Sequence, residues 1–307
     1  MFEDRIAQSL EDLELAEPVR HSGLTVFPLI GRDKPGPQYL TLDEALHAGA
    51  IEISEVSEGG RVPELLLANE ADLPVLLVDG EELVGAKQNR VLNLTILVRP
   101  KSKVTIPVSC VERGRWSYRK RNFATSDRSM FAQAKASKLR QVSANMRAKR
   151  GKFSDQGQVW ADIDAKLASM NTAAPSSAMS DVFERYQAGV DDYVEQLQPQ
   201  ANQRGAVYVM NGTVVGVELF DKAATFAKLA PKLTRSYALD AIEVGPRETK
   251  AAPMIVSLAF ERLKKLKVEA YPGTDLGTDL RMADAELSAA ALEFESAILH
   301  LEAFAAS

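Results

Sequence analysis

Between Glu81 and Arg90 the chain carries two carboxylates, two cations and two amides within ten positions. They are Glu81, Glu82, Lys87, Gln88, Asn89 and Arg90, with only Leu83 and Val84 clearly apolar among them. Two neighbouring carboxylates can divide into an acid and a base if burial separates their pKa values. Lys87 and Arg90 suit a phosphate or a substrate carboxylate, the arginine by a bidentate contact. Gln88 and Asn89 offer the donors and acceptors that a ribose or a base edge needs. The competing reading is a solvated hairpin loop whose charges pair among themselves, worth ~0–1 kcal/mol per exposed pair.

Other candidates are weaker. Cys110 stands in SCVERGRW, where Arg113 and Arg115 could lower its pKa and make a reactive thiolate. A cysteine nucleophile usually needs a histidine base, and His21, His47 and His300 are all distant in sequence, so a buried structural thiol is the better reading. One cysteine and three scattered histidines provide no ligand pair at helical or zinc-knuckle spacing, so neither a metal nor another cofactor is called for. Residues 101–150 hold fourteen Lys or Arg against Glu112 and Asp127, a local net of +12 in a chain of net −5. Trp116, Tyr118 and Phe123 interleave with Arg115, Arg119, Lys120 and Arg121, as stacking plus phosphate contact on a single-stranded nucleic acid would require. The plainer reading is a solvated helix face running through Lys135, Lys138, Arg140, Arg147, Lys149 and Arg150.

The elements that must position these residues are read from periodicity. Phe2, Ile6, Leu10 and Leu13 recur at helical spacing, so residues 2–15 predict an amphipathic helix within an N-terminal segment 1–22. Residues 23–307 read as a single α+β domain. Its strands are expected at Leu24–Ile30, around Ile51–Val56, and at Glu64–Ala68, Leu73–Val78, Val91–Val98 and Val104–Val111, with Thr41 and Glu44 capping a short helix after the first. Pro107 suggests an edge strand or a bulge. Short links between these runs point to a largely antiparallel β core, sandwich-like or a meander. A three-helix insert is expected at 125–198, capped in turn by Ser126 or Asp127 and, for its third helix, by Ser180.

In the last third, Asn211-Gly212 marks a hairpin. Asp221 is placed to cap a helix, Pro231 to start another that continues through residues 236–243, and Ile255, Leu258, Phe260, Leu263 and Leu266 predict a buried one. Alanine in the tail favours helix, but Leu292/Phe294 and Ile298/Leu299/Leu301 suit a closing hairpin, which is the reading adopted here.

The totals bound the class. A chain of 307 residues and 33.5 kDa, 46% hydrophobic and 26% charged, is ordinary for a globular protein. Its acidic pI of about 5.5 does not favour a global nucleic-acid or membrane partner. An acidic N-terminus without a basic-then-apolar pattern is neither a signal nor a transit peptide. No apolar run approaches the ~18 residues of a membrane span. With one cysteine, the expectation is a soluble cytoplasmic protein.

The runs LLVDGEELVGAKQNRVLN, IPVSCVERGRW and GVELFDKAATFAKLAPKLTRSYALDA resemble the bacterial family named ARG and rhodanese-phosphatase superfamily associated protein, over most of the chain. The resemblance implies, by association with ADP-ribosylglycohydrolases and rhodanese-phosphatases, a place in ADP-ribose, NAD or nucleotide-phosphate processing. It carries no catalytic assignment. The positions that match are Glu81, Glu82, Gly85, Lys87 to Arg90, Cys110, Glu112, Arg115 and Trp116, then Phe220, Asp221, Ser236, Tyr237 and Asp240, with Arg281 and His300 as weaker candidates.

The expected function is therefore binding or processing of an ADP-ribose-like or other phosphorylated nucleotide. Glu81 or Glu82 would serve as acid/base if the protein is an enzyme. Lys87, Gln88, Asn89, Arg90, Glu112, Arg115, Trp116, Tyr237 and Asp240 would hold the ligand. From a different class comes a non-enzymatic homo-oligomer assembled through its helices, and from a third a single-stranded nucleic-acid accessory using residues 101–150.

Overall fold

The computed structural model describes residues 1–57, 63–114, 122–173, 176–247 and 252–305. In chain order the first elements are α1 (Phe2–Glu11), β1 (Glu14–Leu15), β2 (Val19–His21), β3 (Leu24–Ile30), β4 (Leu40–Thr41), α2 (Leu42–His47), β5 (Ile51–Glu55) and β6 (Glu64–Asn69). Next come β7 (Val75–Leu77), β8 (Glu81–Gly85), β9 (Arg90–Leu92), β10 (Ile96–Val98), β11 (Ser102–Cys110) and β12 (Phe123–Ser129), followed by α3 (Ala132–Arg147), α4 (Gln156–Ser169), α5 (Met179–Arg185) and α6 (Gln187–Gln196). The chain closes with β13 (Gln203–Met210), β14 (Thr213–Phe220), α7 (Ala223–Val244), α8 (Pro253–Lys265), β15 (Val268–Pro272), β16 (Thr278–Ala283), β17 (Leu287–Phe294) and β18 (Ala297–Ala305). The fold is α+β, and its sheets are mostly antiparallel.

Two compact units form. Unit 1 is Met1–Pro37, Ala188–Gly273 and Gly277–Ser307, and unit 2 is Gln38–Gln187 with Thr274–Leu276. That short second segment joins unit 2 because the Asp275 carboxylate accepts from the Arg99 backbone N–H at 2.8 Å and from its guanidinium at 2.6 Å, while Leu276 bridges Leu97.

Unit 1 is a nine-stranded sheet in the order β1-β3-β13-β14-β18-β17-β16-β15, with β2 beside β3. Strand alternation gives it two different faces. One is apolar: Phe27, Leu29, Val207, Val209, Val217, Leu219, Leu280, Met282, Leu301 and Ala303 pack with Ile6 and Leu10 of α1 and Val256 and Leu263 of α8. The opposite parity carries Tyr208, Glu218, His300, Glu302, Asp279 and Arg281, all buried. Helix α7 packs on β13 and β14 and brings Tyr237 against Tyr208.

The Asn211-Gly212 turn joins β13 to β14 with φ of +47° and +83°, the positive pair that a two-residue hairpin of this twist requires. The tail is the hairpin β17–β18.

Unit 2 holds a six-stranded sheet, β12-β8-β9-β11-β6-β5, and a small sheet, β10-β7-β4. Its core gathers Leu42, Ile53, Leu65, Leu67, Val75, Leu83, Leu92, Ile96, Ile106 and Phe123. Thr41 and Glu44 make the anticipated capping box. Pro107 pairs with Glu64 at the point where β11 leaves β6 for β9, so its missing N–H falls at a change of partner.

Several expectations are corrected. Helix α1 stops at Glu11, short of residue 15. Ser126 and Asp127 do not cap a helix: they lie in β12, and the Ser126 hydroxyl is drawn instead to Glu82. Ser180 lies inside α5, and the third helix is two, broken at Tyr186, whose hydroxyl donates to the Met170 carbonyl at 2.7 Å. Pro231 begins no new helix. It sits inside the continuous α7, where buried Phe226, Leu229, Leu233 and Tyr237 outweigh its ~3 kcal/mol cost. Helix α8 is only half covered, with Leu258 63% exposed. Among the described residues no helix is long and apolar enough to cross a membrane.

Candidate functional site

The 81–90 segment is not a solvated loop. Glu81, Glu82, Lys87, Gln88, Asn89 and Arg90 are all buried, and Glu82 and Arg90 are fully so. Burying so many polar groups is unfavourable unless each is matched, so the partners decide what the cluster can do.

Strand pairing sets the directions. Glu82 stands opposite Val91, and Leu83 opposite Arg90, which in turn stands opposite Cys110 on β11. Successive residues of a strand point to opposite faces, so Glu81 and Glu82 do not face each other as an acid/base pair. The Glu81 carboxylate accepts from the Val78 N–H at 2.8 Å. Glu82 Oε2 accepts from the Ser126 hydroxyl at 2.9 Å and from Arg128 Nε at 3.0 Å. Its Oε1 is buried with no hydrogen-bond partner among the described residues. Burial pushes the Glu82 carboxyl above the usual carboxylate range, against the pull of Arg128 and Ser126.

Arg90 organises the other face. Its Nη1 donates to Gln88 Oε1 at 3.0 Å, and its Nη2 lies 3.8 Å from the Glu55 carboxylate. Cys110 Sγ donates to the same Gln88 oxygen at 3.1 Å, while Gln156 clasps the Cys110 backbone with two bonds of 2.8 Å. Burial raises the Cys110 thiol above its ordinary range despite nearby Arg90, which disfavours the thiolate. Glu112 accepts from the Asn89 N–H at 3.1 Å and ties the loop to the end of β11. Within this loop Ala86 is buried at φ +37°, a conformation costing a side-chain-bearing residue about 1–2 kcal/mol.

Beside the loop lies a second group of buried polar residues. Asp79 forms an ion pair with Lys138 of α3, both essentially inaccessible to solvent. Gly80, at φ +82°, lies against Ser129 and Lys135: a Cβ there would stand 2.9 Å from the Ser129 oxygen and 3.2 Å from Lys135 Cδ. The buried Ser129 hydroxyl has no hydrogen-bond partner among the described residues. It ends β12, two residues before the N-cap of α3, Phe131, which supplies no side-chain cap, and the first turn of α3 has no acidic residue. Lys166 Nζ lies 4.7 Å from the centre of the Phe131 ring. Lys135 and Lys138 therefore do not belong to a solvated helix face. Arg147, Lys149 and Arg150, at the other end of α3, are exposed.

Arg115 and Trp116 fall outside the described residues, as do Tyr118, Arg119, Lys120 and Arg121. Tyr237 and Asp240 are buried in unit 1, on α7. There Tyr237 stacks on Tyr208 with ring centres 3.8 Å apart, and its hydroxyl donates to Glu218 Oε1 at 3.3 Å. Glu218 Oε2 is 2.9 Å from His300 Nε2, and Glu302 completes the cluster. Unit 1 also has a cavity of about 300 Å³ lined by Arg5, Gln8, Lys34, Glu295 and Ser296, but Arg5 is paired with Glu293 and Lys34 with Asp12.

Sequence reasoning missed Asp79, Ser129, Glu55, Glu218 and Glu302. Nothing in their local spacing marks them; only strand register and the start of α3 bring them to their partners. The nearest available signal was DG at 79–80, a turn dipeptide immediately before the polar run.

No curated protein and no solved structure matches the chain. The ARG and Rhodanese-Phosphatase-superfamily-associated Protein domain matches residues 12–304, almost its whole length, and the chain belongs to that family.

Proposed function

We propose that the protein binds a phosphorylated ligand of the ADP-ribose or nucleotide type in unit 2, with a phosphate at the start of α3. One observation carries this reading: the buried Ser129 hydroxyl, without a hydrogen-bond partner among the described residues, stands two residues before the N-cap of a helix that lacks a side-chain cap. Such a terminus presents backbone N–H groups and the positive end of the helix dipole to an anion. Buried Lys135 beside Gly80 adds positive charge, and a glycine allows close approach. Arg90 and Gln88 supply hydrogen-bonding groups on the neighbouring loop. Glu82, held protonated to higher pH than an ordinary carboxyl, is the proton carrier if the bound ligand is turned over. The family's association with ARG and rhodanese-phosphatase proteins supports a phosphate-bearing ligand.

Thermal-shift and calorimetric titration with ADP-ribose, NAD, ADP and inorganic phosphate test it. At least one of the phosphorylated compounds should stabilise the wild type, and Ser129→Ala and Arg90→Ala should each reduce that shift. The reading fails if none stabilises the wild type, or if both variants keep the full shift.

A further inference from the structure

We propose that Glu218, His300 and Glu302 form a binding site for a divalent first-row transition cation in unit 1. The three lie on the two central neighbours β14 and β18. Glu218 is directly opposite Glu302 in the ladder, and His300 is two residues before Glu302, so all three side chains leave the same face. One donor atom from each falls within 4.8 Å of the others, and the residues are 0 to 2% exposed.

Like charges directly opposite each other across a ladder repel, and burial enlarges the penalty. A cation among the two carboxylates and the imidazole removes that repulsion. The dimensions agree: His300 Nε2 and Glu218 Oε2 are 2.9 Å apart. Adjacent ligands of an octahedral ion with bonds of ~2.1 Å stand about 3.0 Å apart. One nitrogen and two carboxylate donors select Zn²⁺, Mn²⁺ or Fe²⁺ over the all-oxygen preference of Ca²⁺ and Mg²⁺.

The surroundings hold the ligands in place. The imidazole stacks on Phe220, with centres 4.5 Å apart and planes 19° from parallel. The Tyr237 hydroxyl donates to Glu218, leaving the other carboxylate oxygen toward His300. Outer partners of this kind fix ligand orientation. Tyr237 reaches its place because position 216 is glycine, where a Cβ would overlap the phenol oxygen.

The full-length chain, stripped with chelator, should take up about one Mn²⁺ or Zn²⁺ in equilibrium dialysis, with protons released on binding. Pulsed EPR of the Mn²⁺ form should show coupling to an imidazole nitrogen. Glu302→Gln and His300→Gln should each weaken binding by tenfold or more, and Tyr237→Phe, which keeps the stacked ring, by about tenfold. The proposal is overturned if the wild type retains no ion, if bound Mn²⁺ shows no nitrogen coupling, or if folded Glu302→Gln binds as tightly as the wild type. Because the site and its readout lie in unit 1, failure of the phosphate reading would leave this result unaffected.

Discussion

Arg90 and Cys110 stand directly opposite each other across the β9–β11 ladder and share one acceptor, Gln88 Oε1, at 3.0 and 3.1 Å. A guanidinium beside a thiol ordinarily favours the thiolate, yet here burial wins and the thiol stays protonated. Cys110 should therefore resist alkylation in the native protein and react fully once unfolded. Stoichiometric labelling without loss of native structure would contradict this. Gln88→Leu removes the shared acceptor and should destabilise by about 1–3 kcal/mol, read from denaturant midpoints at unchanged slope.

Glu82 predicts a specific pH dependence. Its folded pKa is raised, so the folded state holds its proton at higher pH than the unfolded chain does. Its stabilising contribution is complete below the unfolded value of 4.5 and is lost as pH rises through the folded value. Glu82→Gln mimics the protonated form. The stability difference between the Glu82→Gln protein and the wild type should therefore shift in the variant's favour as pH rises through that window. A difference that is flat with pH, measured by melting curves, would show that Glu82 does not titrate there.

How much of this was legible beforehand depends on the range of the forces involved. Thr41 with Glu44, Asn211-Gly212 and the tail hairpin were read correctly because each signal is local, carried by residues within a few positions. The chemistry of the 81–90 run was also visible as composition, but its burial was not, because solvent is excluded by strands distant in sequence. Ser126 shows why local signals mislead: a good capping residue became a strand residue once Glu82 took its hydroxyl. Glu218 and His300 are 82 positions apart, and only the β14–β18 register makes them neighbours.

Asp79 and Lys138 form an ion pair at essentially zero exposure. Asp79→Asn or Lys138→Met alone should cost about 3–5 kcal/mol, as breaking a buried ion pair from one side does. The double variant should recover a substantial part of that loss, giving a coupling energy of about 1–3 kcal/mol in a double-mutant cycle. Additive losses would mean that the two charges are stabilised independently.

The loop backbone offers the sharpest contrast between neighbouring positions. Ala86 is held at φ +37° and Gly80 at φ +82°, both buried. Ala86→Gly relieves the left-handed penalty, but it also loosens the unfolded chain and removes a buried methyl. The net effect should be within about 1 kcal/mol of neutral. Gly80→Ala adds the same methyl where it meets the Ser129 oxygen at 2.9 Å and Lys135 at 3.2 Å, in a conformation that already disfavours it. It should cost about 2–4 kcal/mol and abolish any phosphate-dependent stabilisation, since it fills the approach to Ser129. Equal effects of the two substitutions would show that backbone strain is not what distinguishes these positions. Retention of the ligand-induced shift in a folded Gly80→Ala protein would place the phosphate away from Ser129.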